Sequence, residues 1–214
     1  MGTILRKPLT SGPGMEEISK DLKVPPNQIV TDKFPVLTFG GTPKIDLETW
    51  ELRFFGSVEQ DIELGWNAFK MLPRTRVTTD FHCVTQWSRL DNTWEGVSFR
   101  EVVKLIKLKP DAKYVMAYCY GGYTTNLDLE SLLEENVLFA DTHDGKTLEP
   151  DHGGPLRLVV PNRYGWKSAK WVNALEFTNK DAPGFWETRG YHMRGEPWSE
   201  ERFGFGLAWE TSLF

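Results

Sequence analysis

The sequence predicts an α+β fold in which mixed β-sheets are connected by a few short helices. Short runs rich in β-branched and aromatic residues recur along the chain, and such runs are typical of strands. Only a few segments between them carry the spacing of apolar residues that a helix requires. The 214 residues contain no internal repeat and no evident linker, so we expect one core.

Residues 1–33 predict an extended arm rather than a folded unit. They are polar and are interrupted by four prolines, which disfavour helices and interior strands. We expect ordered structure to begin near Phe34, so that residues 34–214 form a single domain.

The first predicted elements of this domain are two strands with a helix between them. A strand covers residues 50–55 and is ended by Gly56. A turn then leads to a short helix over residues 66–72, which stops before Pro73 because proline has no amide hydrogen for a helix interior. Residues 76–81 are mostly β-branched or aromatic and predict the next strand.

The middle of the chain predicts two helices on either side of a strand. Ser98 and Glu101 have the spacing of a capping box, which marks the start of the first helix. Residues 113–118 predict the strand. Residues 129–133 predict the second helix, and Asp128 is its expected cap.

The last predicted strands cover residues 137–140, 156–160 and 171–177. After Phe177 the sequence becomes rich in aromatic residues, glycine and charge. We expect this part to be a tail that wraps around the core.

Composition excludes several classes of function. The formal net charge of −5 disfavours a nucleic-acid partner. No apolar run approaches the roughly 20 residues that span a bilayer, and the N-terminus shows no export signal, so the sequence predicts a cytoplasmic protein without a membrane span. Two cysteines cannot form a disulfide framework or a four-thiolate zinc site.

Cys83 follows the predicted strand 76–81 and has His82 beside it. Three interpretations of this cysteine are open. It is a small buried hydrophobic residue, a nucleophile with His82 or His152 as its base, or the thiolate ligand of a soft metal. Zinc is disfavoured because the four histidines lack the paired spacing of zinc ligands. Neighbouring side chains on a strand point to opposite faces, so a metal at Cys83 would need ligands from outside the protein.

Residues 151–171 concentrate positive charge in a net-acidic chain. Arg163, Lys167 and Lys170 lie close together there, with the hydroxyl group of Ser168 among them. Such donors suit a phosphate or another anion, and the interleaved aromatic residues suit a flat ring. A solvated basic loop beside a core strand is the alternative interpretation.

Four blocks in this order carry a family resemblance: FHCVTQWS (81–88), WEGV (94–97), HGGPLRLVVP (152–161) and KSAKW (167–171). They resemble the molybdopterin-binding domain of the sulfite oxidase family. The resemblance runs from about Phe34 to Trp198 and is greatest to small, stand-alone prokaryotic sulfite oxidase-like proteins.

The resemblance implies a molybdenum–molybdopterin cofactor and a role for particular residues. In that family one cysteine thiolate binds molybdenum and the pterin dithiolene supplies two more sulfurs, and Cys83 matches this ligand. The positions that match contacts to the pterin or its phosphate are His152, Arg157, Ser168, Ala169 and Lys170, with Lys167 adjoining.

The pattern W-x-x-R-x-Y at residues 186–191 resembles a sulfite oxidase segment that carries a tyrosine near the metal. This implies a catalytic role for Tyr191, in hydrogen bonding to a metal-bound oxygen or in moving a proton. The alternative is a tail tyrosine that only packs on the core.

Two departures from the family pattern argue against sulfite as the substrate. Sulfite oxidases carry an arginine five residues after the ligand cysteine, where this chain has Ser88 followed by Arg89. Leu37 stands where those enzymes have another arginine. We expect substrate to enter between Arg89, the tail around Tyr191 and the loop after Tyr118.

The sequence therefore predicts a molybdenum-dependent oxidoreductase that carries out two-electron oxygen-atom transfer on a small S- or N-containing substrate. Electrons would be exchanged with an unidentified external donor or acceptor protein. A non-catalytic module or partner subunit that binds a pterin or an anion is the main alternative, and a Cys–His hydrolase is a third.

Overall fold

Two β-sheets form the framework of the protein. The computed structural model describes residues 24–204. The strands in this range are β1 (Ile29–Val30), β2 (Glu51–Gly56), β3 (Ile62–Gly65), β4 (Thr75–Cys83), β5 (Trp87–Ser98), β6 (Tyr114–Cys119), β7 (Thr124–Asp128), β8 (Leu138–His143), β9 (Lys146–Thr147), β10 (Arg157–Val159) and β11 (Val172–Thr178). The α-helices in the same range are α1 (Trp66–Lys70), α2 (Phe99–Ile106) and α3 (Leu129–Leu132).

The two sheets differ in size, and both are mixed. The larger has six strands in the order β1-β5-β8-β10, with β4 paired to β5 and β9 paired to β8. The smaller has five strands in the order β3-β2-β11-β6-β7. β1 runs parallel to β5 and β2 runs parallel to β11, whereas the other pairs are antiparallel. The predicted α+β class with mixed sheets is confirmed.

The main hydrophobic core lies where the sheets and helix α2 meet. Leu52 and Phe54 of β2, Leu175 of β11 and Phe139 of β8 are all fully buried. Phe99, the first residue of α2, stacks on Phe139 with ring centroids 6.0 Å apart. This packing holds the strands that carry the site.

Both predicted helix caps are confirmed. The hydroxyl oxygen of Ser98 accepts a hydrogen bond from the amide of Glu101 at 3.2 Å and begins α2. The carboxylate of Asp128 accepts one from the amide of Ser131 at 2.7 Å and begins α3. Because each bond satisfies an amide that has no partner within its helix, these short helices start where the sequence predicts.

Five strands were missed in the sequence, namely the two-residue strands β1 and β9 and the longer strands β3, β5 and β7. The largest omission is β5, whose buried positions include Ser88, Asn92 and Gly96. Polar residues and glycine at inward positions hide the alternation of apolar and polar residues that marks a strand.

Ordered structure begins before Phe34, which corrects the prediction for the arm. Ile29 of β1 pairs with Trp87 of β5, and the side-chain amide of the buried Gln28 donates to the carbonyl of Cys83 at 3.2 Å. Residues 1–23 of the predicted arm lie outside the described residues.

Two turns place the blocks around Cys83 and Arg157 side by side. A tight turn joins β4 to β5 directly after Cys83, with Gln86 at a positive φ of 67°. After β10 the chain folds back on itself, so that the amide of Leu158 donates to the carbonyl of Ala169 at 2.9 Å. Arg157 and Lys170 form a bridge in this hairpin.

Candidate functional site

A cavity of about 310 Å³ lies between the β4–β5 turn, the hairpin after β10, residues 34–39 and the tail. Its wall is mainly aromatic, with rings from Phe34, Phe39, Phe81, Trp87, Tyr123, Trp166, Trp171, Trp186 and Tyr191. Among the described residues that line it, none is a carboxylate and two are cations, Arg157 and Lys170. The cavity therefore suits a flat ligand that carries negative charge.

Cys83 opens into this cavity from the end of β4. The residue is 7% exposed, and its Sγ lies 3.1 Å from Oγ1 of Thr85. His82 points the other way, where its Nδ1 lies 2.8 Å from Oγ of Ser88, and burial lowers the pKa of its imidazole. The expectation that the two neighbours face opposite sides is confirmed, so His82 is not placed to act as a base for Cys83.

Arg157 forms the floor of the cavity and is only 4% exposed. Its Nε donates to the carbonyl of Ser168 at 3.2 Å and its Nη1 to the carbonyl of His152 at 3.0 Å. No carboxylate among the described residues pairs with the guanidinium, and burial lowers its pKa to about 10. A buried cation without a counter-charge is unfavourable, so this position favours an anionic ligand.

Lys170 joins two sides of the cavity. Its Nζ donates to the carbonyl of Leu37 at 3.0 Å, to Oγ1 of Thr38 at 2.7 Å and to the carbonyl of Asp151 at 2.6 Å. Burial, and then the charge of Arg157, lower the pKa of this ammonium group to about 8. These bonds hold residues 37–38 over the opening.

Ser168 and Ala169 line the cavity between Arg157 and Lys170. The hydroxyl oxygen of Ser168 accepts a hydrogen bond from the amide of Val160 at 3.0 Å, which fixes the hairpin. These two residues therefore shape the cavity mainly through the backbone.

Tyr191 reaches the cavity from the tail. Its ring stacks on Trp186 with centroids 4.9 Å apart and meets the edge of Trp166 at 5.0 Å. Its hydroxyl group has no hydrogen-bond partner among residues 24–204. Burial, and then the nearby Cys83, raise the pKa of the phenol. The predicted tyrosine thus lies where its hydroxyl is available to a ligand.

Two predicted ligand residues lie outside the cavity lining. The ammonium group of Lys167 is fully buried and forms an ion pair with Glu187 at 2.6 Å, and the residue does not line the cavity. The ring of His152 stacks on Phe34 at 4.9 Å, and its carbonyl holds Arg157. His152 therefore shapes the floor from behind.

Arg89, which was expected beside the substrate entry, does not line the cavity. Its Nη2 donates to Asp144 at 2.5 Å, and its Nη1 donates to Asn92 at 2.5 Å. Ser88, the position of the family's arginine, is fully buried against His82.

Several lining residues were not assigned from the sequence. Phe34 and Thr85 belong to this group. From the loop after Tyr118, which was expected near the substrate entry, Tyr123 lines the cavity, whereas Tyr120 and Thr124 do not. Phe34 directly follows the arm and lies more than forty residues before Cys83, so only the folded chain brings it there. Thr85 lies two residues after Cys83 in the same block, and this short spacing could have predicted that it lies near the cysteine.

Comparison with known proteins identifies related sequences. Residues 39–186 match the family model described as oxidoreductase molybdopterin binding domain. The chain is similar to the uncharacterized oxidoreductase YuiH of Bacillus subtilis (strain 168), with 47% identity over 85% of this chain and 92% of YuiH. It is also similar to the protein-methionine-sulfoxide reductase catalytic subunit MsrP of Campylobacter jejuni, with 27% identity over 66% of this chain and 53% of MsrP.

A solved structure supports the fold. The sulfane dehydrogenase SoxCD from Paracoccus pantotrophus matches with a TM-score of 0.60 and 23% identity, over 65% of this chain and 41% of that one. Within residues 24–204, no helix has the length and apolar character needed to cross a membrane. The same residues contain no cluster of three or more His, Cys, Asp or Glu that could hold a metal ion.

Proposed function

Because the chain belongs to the oxidoreductase molybdopterin binding domain family, we propose that it is a molybdenum-cofactor enzyme of oxygen-atom transfer. Its substrate would be a small S- or N-containing molecule. One observation carries the proposal: the thiol of Cys83 and the unpaired guanidinium of Arg157 face one cavity that has no carboxylate in its lining. When bound, the molybdenum–molybdopterin group supplies the two-electron redox chemistry.

The residues of the cavity fit this cofactor. Cys83 offers the single protein thiolate that the molybdenum centre needs, and a soft thiolate suits such a metal. Arg157 offers charge-assisted donors to the phosphate or the pterin, and Lys170 adds a second cation. The backbone of Ser168 and Ala169 lies between these cations. The family's cofactor would therefore supply the negative charge that residues 24–204 do not place beside Arg157.

Tyr191 is the residue we propose to act on the substrate side. Reduction of an S-oxide or N-oxide consumes two electrons and two protons and releases water, so a proton donor is needed near the reacting oxygen. Burial raises the pKa of the Tyr191 phenol, so its hydroxyl stays protonated at neutral pH and donates a hydrogen bond. The stacked ring of Trp186 fixes its orientation.

The charges around the cavity favour a neutral substrate over an oxyanion such as sulfite. Arg89 pairs with Asp144 and lies outside the lining, and Lys170 already donates to three oxygens. Arg157 lies at the floor with the positions assigned to the cofactor. A neutral S-oxide or N-oxide needs no further cation at the aromatic entrance.

The test compares the two cysteines. Cys83→Ala is expected to abolish turnover and to change the electronic spectrum of the bound molybdenum, because it removes the thiolate ligand. Cys119→Ala is the matched control, since Cys119 is also buried but lies outside the cavity lining. Metal analysis of protein from a molybdenum-replete host should find about one molybdenum per chain in the wild type and in the control. An unchanged spectrum and unchanged turnover in Cys83→Ala, or the absence of molybdenum from the wild type, would contradict the proposal.

Turnover is measured on the molybdenum-loaded protein with a reduced dye. S-oxides and N-oxides are expected to oxidise the dye, whereas nitrate is not, and sulfite is not expected to reduce an oxidised dye. An external redox protein would replace the dye in the cell. Bound molybdenum without turnover of any S- or N-compound would instead support a non-catalytic binding module.

A further inference from the structure

A fully buried ion pair lies behind the wall of the cavity. Nζ of Lys167 is 2.6 Å from Oε1 of Glu187, and neither side chain is exposed. Lys167 ends the 3₁₀ turn Gly165–Lys167, and Glu187 begins the 3₁₀ turn Glu187–Arg189 in the tail. The pair therefore joins two turns that lie twenty residues apart in the sequence. At each turn the residue before the charged one, Trp166 or Trp186, lines the cavity.

Each charge is surrounded by further hydrogen-bond partners. Nζ of Lys167 donates to the carbonyl of Asn126 at 2.8 Å, to its Oδ1 at 2.6 Å and to the carbonyl of Met193 at 2.6 Å. Oε1 of Glu187 accepts from Nε1 of Trp166 at 2.9 Å and from Oγ1 of Thr125 at 3.1 Å. Strand β7, the turn after β10 and the tail thus meet at this point.

The contacts of Lys167 bracket the part of the tail that reaches the cavity. Lys167 holds Glu187 on one side and the carbonyl of Met193 on the other, and Tyr191 lies between them. Trp186 directly precedes Glu187 and stacks on Tyr191. Trp166 contacts both Glu187 and Tyr191. Movement of the ion pair would move all three rings.

We infer that the Lys167–Glu187 pair is a latch that positions Trp186 and Tyr191, here called the tail wall, against the cavity. Lys167 is then a positioning residue and not a contact of the cofactor. The position of the tail wall follows from the structure alone, whereas its contact with substrate rests on the proposed function.

The physics of buried charge gives the latch a distinctive signature. Removal of one partner leaves the other charge buried without compensation, whereas removal of both removes the penalty as well. Glu187→Gln and Lys167→Met are therefore expected to loosen the tail wall. The double variant Lys167→Met/Glu187→Gln should lie closer to the wild type than either single variant.

Hydrogen exchange followed by mass spectrometry on cofactor-free protein tests the latch without any enzyme activity. Each single variant is expected to exchange at least tenfold faster over residues 184–195, with the strands of the core unchanged. Glu200→Gln is the control, because it removes the partly exposed ion pair with Arg202 in the same tail, and both of these residues lie outside the range 184–195. Unchanged exchange over residues 184–195, or an equal rise throughout the chain, would overturn the inference.

A second measurement separates positioning from cofactor binding. We expect molybdenum-loaded Glu187→Gln to have the same metal content as the wild type. Its KM for substrate should be about tenfold higher than that of the wild type, whereas its kcat should change by less than threefold. Loss of molybdenum from Lys167→Met at wild-type exchange rates would make Lys167 a cofactor contact and refute the latch. If no variant and no wild type turns over substrate, the proposed function fails while the exchange result still decides the latch.

Discussion

The buried guanidinium of Arg157 indicates an anionic ligand. This group has two backbone carbonyls as acceptors, and the ring of Phe81 lies 5.1 Å away, yet the described residues provide no carboxylate. Buried charges in proteins are normally paired, so an unpaired one indicates a ligand. This is stronger support for a cofactor than the count of basic residues in the hairpin, because Lys167 belongs to the same basic block and is paired within the protein.

His143 predicts an acid-sensitive step in stability. Burial lowers the pKa of its imidazole to about 4, with Asp144 opposing the shift and Arg89 adding to it. Between pH 6.5 and about 4 the unfolded chain takes up a proton at this residue and the folded chain does not, so stability falls as the pH is lowered through this window. The expected contribution is about 3 kcal/mol.

The measurement is urea unfolding of wild type and His143→Asn at several pH values. The variant loses the packing of the ring on Trp94, where the centroids lie 4.1 Å apart, so its stability at pH 7.5 is lower. Its stability should however fall less steeply than that of the wild type from pH 6.5 to 4. Parallel curves for the two proteins would show that His143 does not carry this pH dependence.

The sequence motifs identified residues at or near the cavity, but they did not show which of these side chains line it. Cys83, Arg157 and Tyr191 all line the cavity, as their motifs indicate. Lys167 and His152 stand in the same motifs but point behind it. Direction depends on the turn that carries each side chain, here the 3₁₀ turn before Ser168, and such turns have no simple sequence pattern.

At the scale of elements, apolar alternation and helix caps located most of the fold. The longest strand, β5, was missed because it has small or polar residues at buried positions. The same residues make the contacts that hold β5 to its neighbours. Ser88 and Asn92 form hydrogen bonds there, and Gly96 allows close approach to β8. Such positions are set by tertiary contacts and not by local propensity.

Gly96 provides the test at this scale. A Cβ atom there would lie 1.8 Å from the carbonyl oxygen of Phe139, so Gly96→Ala must separate β5 from β8. We expect a loss of about 3 kcal/mol or more in the free energy of unfolding. Gly65→Ala is the control, because a Cβ atom at Gly65 meets nothing within 4 Å, and its effect should stay within about 1 kcal/mol. Equal urea midpoints for the two variants would contradict this account of the strand contact.

At the scale of the whole molecule, the cavity is built from four distant parts of the chain. Residues 34–39, the β4–β5 turn, the hairpin after β10 and the tail each contribute a wall. Lys170 holds residues 37–38 through hydrogen bonds, and the Lys167–Glu187 latch holds the tail. A ligand that fills the cavity therefore contacts all four parts at once, and its binding energy should add to the stability of the whole fold.

Thermal unfolding of cofactor-loaded and cofactor-free protein measures this coupling. The loaded wild type is expected to melt ~5–10 °C higher, which corresponds to about 2.7 kcal/mol for a ligand at 100 times its Kd. Arg157→Met should lose at least half of this gain, because the anionic group then has no buried counter-charge. Arg53→Met is the matched control, since Arg53 is half exposed on the outer face of β2 and lies outside the cavity lining, and it should keep the full gain. An equal rise in Tm for Arg157→Met and wild type would show that the buried guanidinium does not hold the cofactor.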